Sequence, residues 1–532
     1  MQVAGTPQLA PLPVEIFLVT IMTRHSLSFL LLSITLFAFL AVKSGRAESP
    51  LKEIFDNAVT DLNLETTFLS IIANWVYDSG QLGSELGYSV GTAGDVNGDG
   101  YDDVLVGAPL YIPPGSSDKE GAVFVFYGAA GGLSEEPNWI VGNGKAGSRF
   151  GSAVSSAGDV NGDGFDDIIV GAEDYKLNFD GYAGEPKSGA AFLYLGSEDG
   201  LSETPDWIGY AEAAAISFGF SVGSAGDVNH DGFDDVIIGA PYYESSSEQN
   251  NEGKVYVYLG SETGPGEDPD WIYECNLPNS SCGYAVNAAG DVNGDGYGDI
   301  VVGTPHYDNL ETNEGAVLLF YGSEDGPSLW ANWIADINQQ EAWFGVSVAS
   351  AGDVNKDGYA DLIVGASSYD LSEDRTDFGA AFVYLGSPTG PGLTFDWVAY
   401  GGEEYSGFGR SVASAGDINQ DGFSDVIIGA YLLGQSGSNL QPDEGAVYVY
   451  TGSSTGVGTA PSWWAYGNKA ETYFGFSAAP AGDVNGDGGV DIIVGAPKYR
   501  TETEIFGRVF VFLNTLPNGQ PHKVFIPLVI GQ

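Results

Sequence analysis

The 532 residues are 43% apolar and 13% aromatic, enough for a large packed core, which excludes wholesale disorder. With 72 Asp and Glu against 18 Lys and Arg, a formal charge of −54, the chain repels phosphate; nucleic acid and anionic lipid are poor partners, and cations are needed. A halophile-style solvated surface is one source of such an excess, but many of the acids fall at fixed positions of a repeat.

In chain order, residues 1–47 read as a secretory leader, with Met22 as an alternative start. Arg24 and His25 precede an apolar run from Leu27 to Val42, and Gly45-Arg46-Ala47 supplies small residues for cleavage. The run is 16 residues, short of the ~20 a spanning helix prefers, so cleavage is expected over an uncleaved anchor. No later segment of the mature chain is long and apolar enough to span a membrane. Residues 48–70 form a short linker, in which 49–63 have room for a brief helix.

Repeats begin at residue 71 and run to 514. A first Trp strand, Asn74-Trp75-Val76, is followed by a nonapeptide, DVNGDGYDD, at Asp95–Asp103. Apolar β-branched residues then lead into Gly107-Ala108-Pro109, a polar loop, the strand Gly121–Tyr127 and a second Trp strand at Trp139. The nonapeptide returns from Asp159, Asp227, Asp291, Asp353, Asp417 and Asp483, at spacings of 64, 68, 64, 62, 64 and 66 residues. Four short strands per unit, seven times over, predict an all-β fold: a seven-bladed β-propeller of four-stranded antiparallel blades. A linear β-solenoid usually has a much shorter period. The last unit ends on its alternating strand, Gly507–Leu513, with no Trp strand after it. The spare N-terminal Trp strand is therefore expected to complete the C-terminal blade and close the ring, removing two open edges.

Cys275 and Cys282 bracket six residues, and in an exported chain a disulfide is the natural reading, against two free buried thiols. The apolar tail within 515–532 is open to two readings, a sorting signal or a segment packed against the ring.

Within the nonapeptide, side-chain oxygens stand at positions 1, 3, 5 and 9, and position 6 is always Gly, as a chain wrapping an ion requires. Position 7 offers a carbonyl, so the identity of its side chain is left free: Tyr, Phe and, once, Gly489. The candidate ligands are Asp95, Asn97, Asp99, Tyr101 and Asp103; Asp159, Asn161, Asp163, Phe165 and Asp167; Asp227, Asn229, Asp231, Phe233 and Asp235. The later loops add Asp291, Asn293, Asp295, Tyr297 and Asp299; Asp353, Asn355, Asp357, Tyr359 and Asp361; Asp417, Asn419, Asp421, Phe423 and Asp425; and Asp483, Asn485, Asp487, Gly489 and Asp491. An all-oxygen set of this kind suits Ca²⁺, about one ion per blade, better than Mg²⁺. DxNxDG is also good turn chemistry in its own right. Three carboxylates per loop, roughly 4–5 Å apart, would repel by about 3–4 kcal/mol per pair at an effective dielectric near 20. A bound cation turns that repulsion into cohesion. The loops part from EF-hands at position 12, Val106 in the first, and in having strands rather than helices on either side.

The FG…DxNxDGxxD…GAP frame resembles the FG-GAP repeats of integrin α-subunit propellers and their bacterial relatives. The resemblance implies calcium in the DxNxDGxxD loops on one face and partner contacts, with extracellular proteins or glycans, on the other. The FG pair departs from the pattern at Leu86-Gly87 and Cys282-Gly283, and the GAP triplet at Gly171-Ala172-Glu173, Gly365-Ala366-Ser367 and Gly429-Ala430-Tyr431. Integrin leg domains and a membrane span have no counterpart in these residues, so the integrin role does not follow from the fold.

A Tyr recurs 16 residues after the first loop Asp, at Tyr111, Tyr175, Tyr243, Tyr307, Tyr369 and Tyr499, with Leu433 the exception. These are candidates for a ligand face, ringing one mouth of the channel, or for packing the blade tops. No catalytic constellation stands out: His230, His306 and His522 have no serine or cysteine elbow beside them. The expected function is that of a secreted or cell-surface binding or adhesion module rather than an enzyme. The alternative is a polysaccharide-active enzyme, a glycosidase or lyase, on the same scaffold.

Overall fold

The computed structural model describes residues 73–176, 189–210, 217–245, 251–372, 374–434, 440–500 and 505–514. The segments read from sequence as leader, linker and tail lie outside the described residues. The described chain forms 28 strands in seven four-stranded antiparallel sheets, a seven-bladed β-propeller. In blade 1 the strands are β2 (Ser89–Gly94), β3 (Asp103–Ala108), β4 (Ala122–Phe126) and β5 (Trp139–Val141), from the axis outward.

Why these residues form a blade follows from what each strand faces. A blade is covered on both sides by its neighbours, so its middle strands carry no polar face: β3 and β4 are buried at every residue. In β4, large and small side chains alternate instead. Phe124 and Phe126 point into the core shared with the C-terminal blade, while Val123 and Val125 join the core shared with blade 2. Large against small across each interface lets successive sheets interdigitate.

Close approach explains the glycines of the FG and GAP signatures. A Cβ built on Gly107 would come within 2.0 Å of the Gly151 carbonyl of the next blade. The same contact recurs around the ring and closes it, Gly495 lying against the carbonyl of Gly87.

The Trp residues of the outer strands rivet neighbouring blades. Trp139 sits edge-on to Tyr194 of blade 2 at 5.0 Å, and its Nε1 donates to the Ser202 carbonyl at 2.9 Å. Trp333 repeats the pair with Tyr384 and Gly392. Edge-to-face pairs contribute roughly 0.5–1.5 kcal/mol beyond area burial.

Closure is by the N-terminal strand. In the last sheet β1 (Trp75–Tyr77) lies outside β28 (Arg508–Phe512), with Trp75 opposite Val511 and Tyr77 opposite Val509. Inside β28 follow β27 (Asp491–Ala496) and β26 (Ser477–Gly482). Trp75 then rivets this sheet to blade 1, meeting Phe126 at 4.7 Å and donating to the Ser134 carbonyl at 2.9 Å. The expected closure is observed, with the strand one residue later than its sequence reading.

Candidate metal loops and the opposite channel mouth

Each innermost strand ends in a nonapeptide loop. The last ladder pair before it is bulged, as between Thr92 and Gly94 opposite β3, which turns the chain into the loop. Position 4 is left-handed in all seven copies, whether Gly98 (φ 69°) or His230 (57°), Lys356 (60°) and Gln420 (57°). Position 6 lies further out, from φ 86° at Gly488 to 95° at Gly232. A Cβ on Gly232 would meet nothing within 4 Å, so conformation rather than space demands glycine there.

The loop carboxylates hold this backbone. Asp95 accepts from the N–H of Asp99 (3.0 Å) and of Gly100 (2.8 Å), Asn97 from Asp99 (2.9 Å), and Asp99 from Tyr101 (3.1 Å). The set repeats at Asp159, Asp227, Asp291, Asp353, Asp417 and Asp483. Position 9 differs. Asp103 is 0% exposed and accepts from Val96 N–H at 3.2 Å and from Gly128 N–H at 2.8 Å. Burial, with the like charges of Asp99 and Asp95 adding, pushes its carboxyl up to about 8. The same causes push Asp167, Asp235, Asp299, Asp361, Asp425 and Asp491 up to about 7.

Among the described residues no group of three or more His, Cys, Asp or Glu side chains is gathered as a metal shell. The loop oxygens are turned onto their own N–H donors instead. Each such bond uses one lone pair of an oxygen that has two, so the loop remains rich in acceptors. Three carboxylates, an amide oxygen and a carbonyl within nine residues fit a hard divalent cation and no softer metal.

The position-7 side chain has a packing role of its own. Phe165 packs over position 4 of the preceding loop, where a Cβ on Gly98 would lie 2.5 Å from its ring. Lys356 sits over the Phe423 ring at 5.8 Å, and Gln420 reaches the Gly488 carbonyl at 3.1 Å where position 7 is Gly489. Position 8 adds a second link in three places: Asp166 accepts from Asp95 N–H (2.8 Å), Asp234 from Asp159 (3.0 Å) and Asp102 from Asp483 (2.6 Å). The loops are laced to one another.

The recurring tyrosines sit in the turn after GAP, each N–H bonded back three residues, as from Tyr111 to Ala108 and from Tyr307 to Thr304. Tyr111, Tyr175, Tyr369 and Tyr499 pack on the third-strand rings of their own blades, and Tyr243 is 9% exposed beside Lys254. None lines the axial cavity. The mouth away from the loops is ringed instead by the residue that follows each FG pair, including Tyr88, Phe220, Tyr284, Arg410 and Phe476. The signal was present in the sequence as the position after FG, which changes from Tyr88 through Ser152, Phe220, Tyr284, Val346 and Arg410 to Phe476.

Cys275 and Cys282 are joined in a disulfide, Cα–Cα 6.1 Å. Beside it, Ser281 Oγ lies 3.0 Å from His306 Nδ1, a pairing that no sequence spacing signalled. Ser281 is 2% exposed, and burial lowers the His306 pKa, so the hydroxyl faces no open space for a substrate.

The FG-GAP repeat profile matches residues 86–126, 150–193, 218–258, 283–320, 344–384, 408–450 and 474–512, one segment in each blade. Integrin alpha pat-2 of Caenorhabditis briggsae is 30% identical over 388 residues, 66% of this chain and 28% of that protein. Integrin alpha-5 of Xenopus laevis is 36% identical over 246 residues, 44% of this chain and 21% of its own length. Integrin alpha-PS5 of Drosophila melanogaster is 39% identical over 189 residues, 34% and 17%. The chain thus spans between about a sixth and just over a quarter of these relatives. With the propeller built and every blade matched, the chain belongs to the FG-GAP repeat family and is integrin alpha-like in its blades.

Proposed function

We propose that the chain is a secreted or cell-surface recognition module, an adhesion-type propeller whose seven loops each hold one Ca²⁺ and whose opposite mouth meets an extracellular protein or glycan. The observation that carries the calcium reading is the loop itself, repeated seven times with every donor position filled and a carboxylate at position 9 that is 0% exposed. Burying a carboxylate without a counter-charge is costly, and a cation beside it relieves both the desolvation and the like-charge repulsion. Asp at positions 1, 5 and 9, Asn at 3 and the carbonyl of position 7 would hold the ion. Calcium would supply cohesion to the loops; no chemical step is asked of it. The likeness to integrin alpha subunits supports the adhesion reading, and the apolar segment Leu27–Val42 supports export.

Calorimetric titration of the stripped protein is expected to give about seven Ca²⁺ per chain. Binding to panels of matrix proteins and glycans, with product assays on the same polysaccharides, tests the recognition reading: turnover would replace it with an enzyme. A melting temperature indifferent to chelation would remove the calcium.

A further inference from the structure

The channel mouth away from the loops opens on a cavity of about 260 Å³, bounded by the first residues of all seven innermost strands. Around it, rings touch one another: Tyr88 and Phe476 at 5.0 Å, Phe476 and Tyr431 at 5.4 Å, Phe220 and Tyr284 at 4.8 Å. Two guanidinium groups lie on these rings, Arg149 over Tyr88 at 5.3 Å and Arg410 over Phe476 at 5.0 Å. Arg149 is matched by Glu173 at 2.6 Å. Arg410 has no carboxylate at ion-pair distance among the described residues, in a chain with 72 acids and 18 bases. A second orphan stands in the same wall: Ser152 is 9% exposed and its hydroxyl has no hydrogen-bond partner.

We propose that this mouth binds the terminal sugar of a glycan bearing a single carboxylate. Arg410 takes the carboxylate, Phe476 and Tyr88 take the apolar face of the ring, and Ser152 takes a ring hydroxyl. The inference rests on the recognition reading above and names its ligand. A guanidinium matches a carboxylate with two parallel N–H donors, and stacking on Phe476 holds its plane. The cavity is smaller than the ~300–1,000 Å³ that drug-sized ligands fill, which suits one ring rather than a folded segment. Charge sets the limit of one acid. At a formal −54 the protein repels a row of carboxylates, whereas a single one in contact lies well inside the ~8 Å screening length at physiological salt. An acidic peptide side chain would satisfy Arg410 and leave the Ser152 hydroxyl unmet.

The test is calorimetric titration of the calcium-loaded chain with sialyllactose, with lactose, polygalacturonate and a short peptide ending in Asp as the other arms. Sialyllactose is expected to bind at least tenfold more tightly than each of the others. Arg410→Gln should lose at least tenfold with its melting temperature unchanged, Arg410→Lys should recover part of that loss, and Ser152→Ala should lose a few-fold. Sialyllactose no tighter than lactose, no response to Arg410→Gln, or tighter binding of the peptide or the polyanion each overturns the proposal. If Arg410→Gln leaves binding to the matrix-protein and glycan panels intact, this site falls and the recognition reading stands. If the unaltered chain binds nothing on those panels, the reading beneath it falls as well.

Discussion

The two ends of the innermost strands are built on opposite rules. At one end, seven loops keep the same oxygens, the same Gly at position 6 and the same left-handed position 4, each laced to the next. At the other end, the residue after each FG pair changes from blade to blade: Tyr88, Ser152, Phe220, Tyr284, Val346, Arg410 and Phe476. Both ends flank the same short strand, six residues long at Ser89–Gly94 and Ser221–Gly226, so the fold does not impose the difference. Uniformity marks the end where every copy has the same mechanical task. Variation marks the end where seven side chains jointly make one surface.

The largest expected effect breaks the comparison at the uniform end. At 100-fold excess over Kd, each bound ion contributes about 2.7 kcal/mol. Removing several with a chelator should lower the melting temperature by upward of about 10 °C, read by scanning calorimetry. A shift under about 2 °C would reduce the loops to turns with no metal role. Next comes closure. Trp75→Ala should cost toward the lower end of the about 3–5 kcal/mol seen for buried aromatic truncations. It should also promote association through the exposed edge of β28, visible in sedimentation.

Within the loops, Gly232→Ala should cost about 1–2 kcal/mol from backbone strain alone, since its Cβ has open space. His230→Gly, two residues earlier, should change chemical-denaturation stability by less than about 0.5 kcal/mol, because that position already tolerates side chains. Equal costs at the two sites would contradict the distinction drawn between φ near 60° and φ near 90°. The smallest effect sharpens the other end. Arg410→Gln, at the mouth, should leave stability within about 0.5 kcal/mol of the parent even where it abolishes ligand binding.

Much of this was legible in the sequence, for an identifiable reason. Repetition turns one weak local signal into seven aligned ones, so the strand count, the loop register and the spare Trp strand could be read before any contact was known. What escaped were contacts between residues about a blade apart. Phe165 reads only as the source of a loop carbonyl until Gly98 is placed beneath its ring. Gly489 reads as an oddity until Gln420 is seen reaching across to Gly488. The tyrosines at Tyr111 and its counterparts had the better periodicity, yet none lines the axial cavity and Tyr111, Tyr175, Tyr369 and Tyr499 pack on the third-strand rings of their own blades, while the less regular residues after FG line it. Periodicity finds what supports the disc; it is a poor guide to what the disc presents.

The pairing of β1 with β28 joins Asn74 and Leu513, 439 positions apart, by a hydrogen bond from the Leu513 N–H. During synthesis the first strand emerges long before its partner in β28 exists. The last sheet is thus completed only by residues from both ends of the repeat array. A ribosome that stops early releases an open arc with an edge at each end, and only a chain read through to residue 512 can hide both.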